Sequence, residues 1–372
     1  MEFYIGKAEL LRGLYRAQSI VEKRNAMPIL ANVLLEATNE RLKILATDLE
    51  VGIYDTYEAK IIIPGKITIG AKQLYEIVRE LPEALIHIKA RENHWITLTS
   101  QKAVFNIVGL SAEDYPAIID FNQKKFVPIP ATTIKDMIEK TIFSTSNDET
   151  RYHLNGVYFS KIKESGKSNV RMIATDGHRL SLIDKPLEID ETLKVDKGVI
   201  LPKKGLHELK KLLEEDQGDF EIAIEENHAI FKKEPLVLFM RLIDGEYPDC
   251  KQVIPKNNKK RIVVKREEFL HSLKRISLLS NEKSKGVKFS IQPGMMKISS
   301  NHPELGEANE ELMVDYQGEE IEIGFNAKYF MDILNVMDSE EVSLELDGKL
   351  SPGVIKSNKD QSYTCVVMPM RI

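Results

Sequence analysis

Thr175-Asp176-Gly177-His178-Arg179-Leu180 sets an acid, an imidazole and a guanidinium close together, the one stretch where side-chain types could do acid–base chemistry. Such chemistry needs a nucleophile or a metal partner, and the sequence nominates neither. Asp-Gly is also a turn signal, so a turn whose His and Arg serve structure or binding is the competing reading. Gly166-Lys167-Ser168 suggests a phosphate-cradling loop, but that motif requires glycine where the chain has Lys161. Ser165 to Asn169 read instead as a hairpin loop between strand-like runs. Cys250 and Cys365 are isolated, without C-x-x-C spacing, which indicates neither a disulfide framework nor zinc, and no cofactor is expected. The paired acids Glu225-Glu226 and Glu310-Glu311 sit in charged contexts typical of solvated faces.

The elements around this stretch repeat. Asp114-Tyr115-Pro116 returns as Glu246-Tyr247-Pro248, and Glu92-Asn93-His94 returns as Glu226-Asn227-His228 at nearly the same offset. A third copy follows in pattern: the helical stretch Gly70 to Val78 has counterparts at Pro202 to Leu213 and Asn326 to Leu334. Each copy is of domain size, so these are tandem domains and not solenoid repeats. Two helices per copy are expected among many strands. The first carries Leu10, Leu11, Leu14, Ala17 and Val21 at helical spacing, with Arg12 and Arg16 on another face; the second carries Leu74, Ile77, Val78 and Leu81, with Lys72 and Arg79 outside. In copy two Lys203, Lys204, Lys210 and Lys211 lie off the stripe Leu206, Leu209, Leu212, Leu213. The last helix, with Lys328 but also Asp332, fits this basic pattern poorly. Copy one keeps Thr47-Asp48 but follows it with Leu49-Glu50, so only copy two has His-Arg.

The chain has 372 residues, is 42% hydrophobic and carries a formal charge of −5, which suits a globular protein whose average surface repels nucleic acid. Basic residues recurring on equivalent helices of such a protein imply a sorted charge. No apolar run approaches the roughly 18 residues of a membrane span, and a soluble, cytoplasmic protein with no membrane partner is expected. The end, Val366-Val367-Met368-Pro369-Met370-Arg371-Ile372, combines a final strand with a flexible thioether surface suited to docking several partners.

Met27-Pro28-Ile29-Leu30, Thr47-Asp48-Leu49-Glu50, Arg151 to Gly156, Ala174 to Leu180, Ser280-Asn281-Glu282-Lys283, Glu322 to Asn326 and the terminal Val-Val-Met-Pro-Met-Arg follow in order along the whole chain. In these the sequence resembles the bacterial sliding clamps, the β subunits of DNA polymerase III. The resemblance implies an α+β chain of three tandem two-helix, sheet-backed clamp domains, 1–122, 123–253 and 254–372. It implies a head-to-tail homodimer closing into a six-domain ring, helices lining the hole, that encircles double-stranded DNA without sequence preference. Such a protein is a processivity factor and no enzyme. Its partners would be the replicative polymerase, the ATP-dependent clamp loader and other proteins with clamp-binding motifs.

The DNA-contacting set implied is Arg24, Lys72, Tyr152, His153, Lys203 and Lys204, with Arg79 outward on the same helix as Lys72. The partner groove implied is Leu154, Thr175, Gly177, His178, Arg179, Leu180, Pro248, Val253, Leu350, Val366, Val367, Met368, Pro369, Met370, Arg371 and Ile372. At the subunit joint Phe105 and Ile107 would meet Leu278 and Leu279. His153 stands where the family commonly has a second aromatic ring, Gln252 where some members have arginine, and Pro352 where some have serine. Two rivals remain at this level: a hydrolase using Asp176 and His178, and a scaffold that binds proteins but never DNA.

Overall fold

The structure, a computed structural model, describes residues 1–21, 27–117, 124–164, 167–187, 193, 195, 197–215, 218–255 and 258–371. Arg24, Ile372 and the hairpin tip Ser165-Gly166 lie outside the described residues; the strands on either side of that tip pair antiparallel, Glu164 opposite Lys167.

Among the described residues stand six α-helices, two to each copy: α1 (Lys7–Ile20), α2 (Ala71–Glu80), α3 (Ala131–Glu139), α4 (Lys203–Glu215), α5 (Arg266–Ile276) and α6 (Ala327–Asn335). α1 buries Leu10, Leu14 and Ala17 as its spacing requires, together with Gly13 and Ile20. At Gly13 an added Cβ would lie 2.5 Å from Ile44 Cδ1 and 2.7 Å from the Tyr57 ring, so a side chain there would have to displace both from beneath the helix. Arg16 lies off the apolar stripe, as its spacing predicts, yet not in open solvent. It is largely buried, paired with Asp55 at 2.5 Å and Glu215 at 2.7 Å, because its position on α1 turns toward strand and helix carboxylates. α5 has Glu267 and Glu268 in its first turn and Lys274 and Arg275 in its last, complementing the helix dipole, and Asn326 caps α6 by accepting the Lys328 N–H at 2.9 Å.

The chain divides into two compact units, and the division runs through copy two. In the first unit an eight-stranded sheet has the order Val127–Ile129, Phe220–Ile224, His228–Lys233, Leu236–Arg241, Val51–Glu58, Arg41–Thr47, Asn32–Thr38, Gly65–Gly70. Four of these strands come from copy two and four from copy one, joined where Leu236–Arg241 pairs antiparallel with Val51–Glu58. The second unit repeats the device. There Val199–Pro202, Gly156–Glu164, Lys167–Thr175 and Arg179–Pro186 of copy two continue into Tyr363–Val367, Gly353–Ser357, Glu341–Leu346 and Lys260–Lys265 of copy three. Two half-sheets are left over. In the first unit Lys60–Ile63, Glu2–Gly6, Leu85–Ala90, Trp95–Ser100 and Ala103–Val108 form a five-stranded sheet; in the second, Gly306–Met313, Met295–His302, Gly286–Gln292 and Ile321–Asn326 form a four-stranded one. Ala103–Val108, the copy-one equivalent of the joining strands, and Gly306–Met313 are edge strands.

Candidate functional site

The acid–base stretch resolves into a turn, and copy one contains its twin. Thr175 Oγ1 donates to the Arg179 carbonyl at 2.6 Å and accepts the Gly177 N–H at 3.1 Å, while its own N–H donates to the Tyr247 hydroxyl at 3.0 Å. Thr47 repeats all three bonds with Val51, Leu49 and Tyr115 at 3.0, 3.1 and 3.2 Å. Asp176 Oδ1 accepts the N–H groups of His178 and Arg179 at 2.9 and 3.0 Å; Asp48 Oδ1 does the same for Glu50 and Val51 at 2.9 and 2.7 Å. The tyrosine of the repeated Glu/Asp-Tyr-Pro motif is therefore the brace of this turn. The turn needs a left-handed residue, and Gly177 supplies it at φ +88°, where copy one holds Leu49 at φ +79°. Asp176 Oδ2 accepts from Arg179 Nε at 3.1 Å, so both its oxygens are engaged and it is no general base. Among the described residues no three His, Cys, Asp or Glu side chains gather to hold a metal ion.

Beside this turn the second unit builds an apolar floor. Leu180 pairs with Val366 across the strands, and both pack with Ile173, Leu182 and Cys250 against Tyr158, Tyr247 and Ile254. Burial pushes the Cys250 thiol up to about 11, with Asp249 adding to it, so this sulfur is packing material and not a nucleophile. The C-terminal tail is laid over the turn: the Met368 N–H donates to the His178 carbonyl at 2.8 Å and the Met370 N–H to the Gly324 carbonyl at 2.9 Å. Pro248, Val253 and Met368 are exposed above buried Leu154, Thr175, Leu180, Val366 and Val367. Pro369 and Met370 are half-buried, and Gly177, His178 and Arg371 are exposed. Leu350, 75% exposed, projects from the turn between Glu341–Leu346 and Gly353–Ser357. Arg179 stands apart from the expected rim residues, since only 8% of its surface is exposed. Among the floor residues, Ile173, Leu182 and Tyr158 carry no signal in the sequence, and Cys250 stands out there only as an isolated cysteine. Tyr247 is marked in the sequence only by the repeated acid-Tyr-Pro motif.

Copy one has the same turn with a different pair of residues beside it. At the position of Leu180 stands Gly52, and at that of Val366 stands Phe239, the two paired in the same register. The ring of Phe239 lies directly over Gly52, where an added Cβ would come 2.0 Å from it, and Phe239 is buried. One aromatic residue over a glycine thus stands where copy two sets two aliphatic side chains opposite each other.

The basic positions divide by partner. Lys72 and Arg79 are exposed on α2, with Glu76 at 3.5 Å and Glu80 at 2.9 Å, surface pairs that hold a charge weakly. Tyr152 is 51% exposed on the turn Glu149–Leu154, and the neighbouring His153 lies against Gly245. Lys203 Nζ donates to Asn147 Oδ1 at 2.9 Å, and burial, with the cations Arg179 and Lys328, lowers its pKa. An anion would relieve that repulsion. Lys204 Nζ instead bonds the buried Asp48 carboxylate of the copy-one turn. Accordingly, Lys203→Glu is expected to weaken salt-sensitive association with duplex DNA at an unchanged melting temperature. Lys204→Glu sets two carboxylates together and is expected to cost about 2 kcal/mol of stability, read by thermal unfolding of both variants.

Along Ala103–Val108 the exposed apolar residues are Val104 and Val108, each at 58%, whereas Ile107 is buried in its own unit's core and Phe105 is half-buried. Leu278 is 76% exposed and Leu279 half-buried, and Met313 at the end of the other edge strand is 77% exposed. Both edges are thus fringed with unpartnered hydrophobic side chains.

Comparison with known proteins decides the family. Residues 1–119, 128–249 and 251–371 match, in order, the N-terminal, central and C-terminal domains of the DNA polymerase III beta subunit. The beta sliding clamp of Caulobacter vibrioides is 35% identical over 374 residues, covering 100% of both chains. The chain belongs to the DNA polymerase III beta subunit family. The clamp of Bacillus subtilis is 33% identical over 382 residues, again at full coverage of both. Among solved structures, a C. crescentus beta sliding clamp superimposes with a TM-score of 0.94 at 35% identity, and a Bartonella birtlesii sliding clamp bound to griselimycin with 0.95 at 33%, each covering 100% of both chains. The protein is therefore a sliding clamp of three mixed helix-and-sheet clamp domains, a DNA polymerase processivity factor and not an enzyme. No helix among the described residues is long and apolar enough to cross a membrane.

Proposed function

We propose that two copies of this chain close head to tail into a ring of six domains, helices inward, that encircles duplex DNA and slides along it while tethering the replicative polymerase. The observation that carries this is the pair of leftover half-sheets. Twice within the chain a strand of one copy joins the sheet of the copy before it, Leu236–Arg241 to Val51–Glu58 and Tyr363–Val367 to Arg179–Pro186. By the same repetition Ala103–Val108 of one chain joins Gly306–Met313 of a second, and since each chain has one of each edge, two chains satisfy both. Val104, Val108, Leu278 and Met313 then lose their exposure, with Phe105, Ile107 and Leu279 behind them.

The domains are 1–122, 123–253 and 254–372. Lys72, Arg79, Tyr152, His153 and Lys203, together with Arg24, meet DNA phosphates and read no base edges, which leaves the ring free to slide, while Lys204 braces the Asp48 turn beside them. The groove beside the Thr175 turn, with its rim and tail from Pro248 to Ile372, takes short motifs of the polymerase, of the ATP-dependent clamp loader that opens the ring, and of other replication and repair proteins in the cytoplasm. After loading, the clamp is expected to remain on nicked circular DNA and to be lost from the same DNA once linearised, measured by gel filtration of labelled protein. Equal retention on both would overturn encirclement.

A further inference from the structure

Asp332 is the residue that spoils the basic pattern of α6, and its partner explains it. Its Oδ2 accepts from Arg179 Nη1 at 2.6 Å. The rest of that guanidinium is also spoken for: Nε donates to Asp176 Oδ2 at 3.1 Å, Nη2 to the Phe143 carbonyl at 2.5 Å, and its carbon lies 4.6 Å from the Tyr329 ring centroid and 5.4 Å from that of Phe143. A cation this buried, between two carboxylates and two rings, is held in one place. We propose that Asp332 is a positioning residue for the partner groove, acting through Arg179; the inference rests on the groove reading above.

The path is a series of bonds. Asp332 holds Arg179, Arg179 holds Asp176 Oδ2, Asp176 Oδ1 holds the N–H groups of His178 and Arg179, and the His178 carbonyl holds the Met368 N–H of the tail. Leu180, the floor of the groove, is the next residue of the same strand. Copy one, with Phe239 over Gly52 where copy two has Val366 and Leu180, closes its turn differently. Its Asp48 takes Lys204, and Val51 stands where copy two has Arg179. Arg179 and Asp332 thus occur together in the copy that carries the aliphatic pair Leu180 and Val366. With Asp332 neutralised, the buried guanidinium has one carboxylate left and draws on Asp176, so the strain falls on the lip of the groove and not on α6.

The test uses the full-length clamp and a fluorescein-labelled synthetic peptide carrying the clamp-binding motif of the replicative polymerase, read by fluorescence anisotropy. Asp332→Asn is expected to weaken the peptide about ten-fold and Asp332→Glu to restore most of that loss, while the melting temperature stays within a few degrees of wild type. In an Arg179→Ala background, Asp332→Asn is expected to add less than about two-fold, because the route is already cut. Unchanged affinity in Asp332→Asn overturns the proposal, as does a full further loss in the Arg179→Ala background. A loss that follows a collapse in melting temperature and is not restored by Glu assigns Asp332 to stability alone. Failure of wild type to bind the peptide overturns the groove reading itself, an outcome distinct from the others.

Discussion

A clamp ending at Val367 is expected to lose at least about 100-fold in affinity for the replicative polymerase, about 2.7 kcal/mol, while remaining a dimer by light scattering. The floor survives this truncation, because Leu180, Val366, Ile173, Leu182 and Cys250 are all kept and the pairing of Tyr363–Val367 with Arg179–Pro186 is untouched. What goes is the tail that crosses the turn, held by the Met368 N–H on His178 and the Met370 N–H on Gly324. Met368 is partly exposed beside that floor, and a thioether there can repack against motifs of differing shape, which one groove serving several partners requires. The affinity of an interface concentrates in a few such contacts, so a short deletion removes most of it. Surface plasmon resonance with immobilised clamp measures the loss. Retained affinity would move the partner site elsewhere, and a monomeric product would make the tail part of the subunit joint.

Much of this arrangement is legible in the residues, and the illegible parts share a cause. The triplication, the helices and the turn follow from local signals: echoes at one offset, apolar spacing, Thr-Asp before a left-handed position. Pairing between copies does not. Leu236–Arg241 is apolar on both faces and carries no mark that its neighbour will be Val51–Glu58, far away in sequence, since alternation specifies a face and never a partner. The same ambiguity hides the inward turn of Ile107 in Ala103–Val108, where Val104 and Val108 look equally apolar. Charged residues hide their burial in a related way. Arg179 finds one carboxylate three residues off and another 153 residues off, and Arg16 finds its partners 39 and 199 residues away. A sequence reader places such residues on the surface because the compensating acids are visible only in the fold.

Phe330→Ala is expected to be the most destabilising single change considered, at about 4 kcal/mol. Phe330 is fully buried on α6, with the rings of Phe325, Phe289 and Phe269 at centroid distances of 5.0, 5.2 and 5.8 Å and interplanar angles between 61° and 74°. Phe289 also meets Phe269 at 5.7 Å and Phe325 at 5.5 Å, so Phe330 fills the centre of a four-ring cluster that fastens α5 and α6 to Gly286–Gln292 and Ile321–Asn326. Removing it costs the transfer energy of a ring, its edge-to-face contacts, and a cavity that rigid neighbours cannot collapse. Because the chain divides into two compact units and Phe330 lies in the second, the loss is expected in calorimetry as a separate early transition, shifted down by about 15 °C, and not as uniform melting. That transition should carry polymerase binding away with it. α6 brings Asp332 to Arg179, and the strand Ile321–Asn326 brings Gly324 to Met370, so both anchors of the groove rest on this core. A single unshifted transition would mean that the four rings are not the keystone of the third clamp domain, and polymerase binding that outlasts the early transition would mean that the groove holds its shape without it.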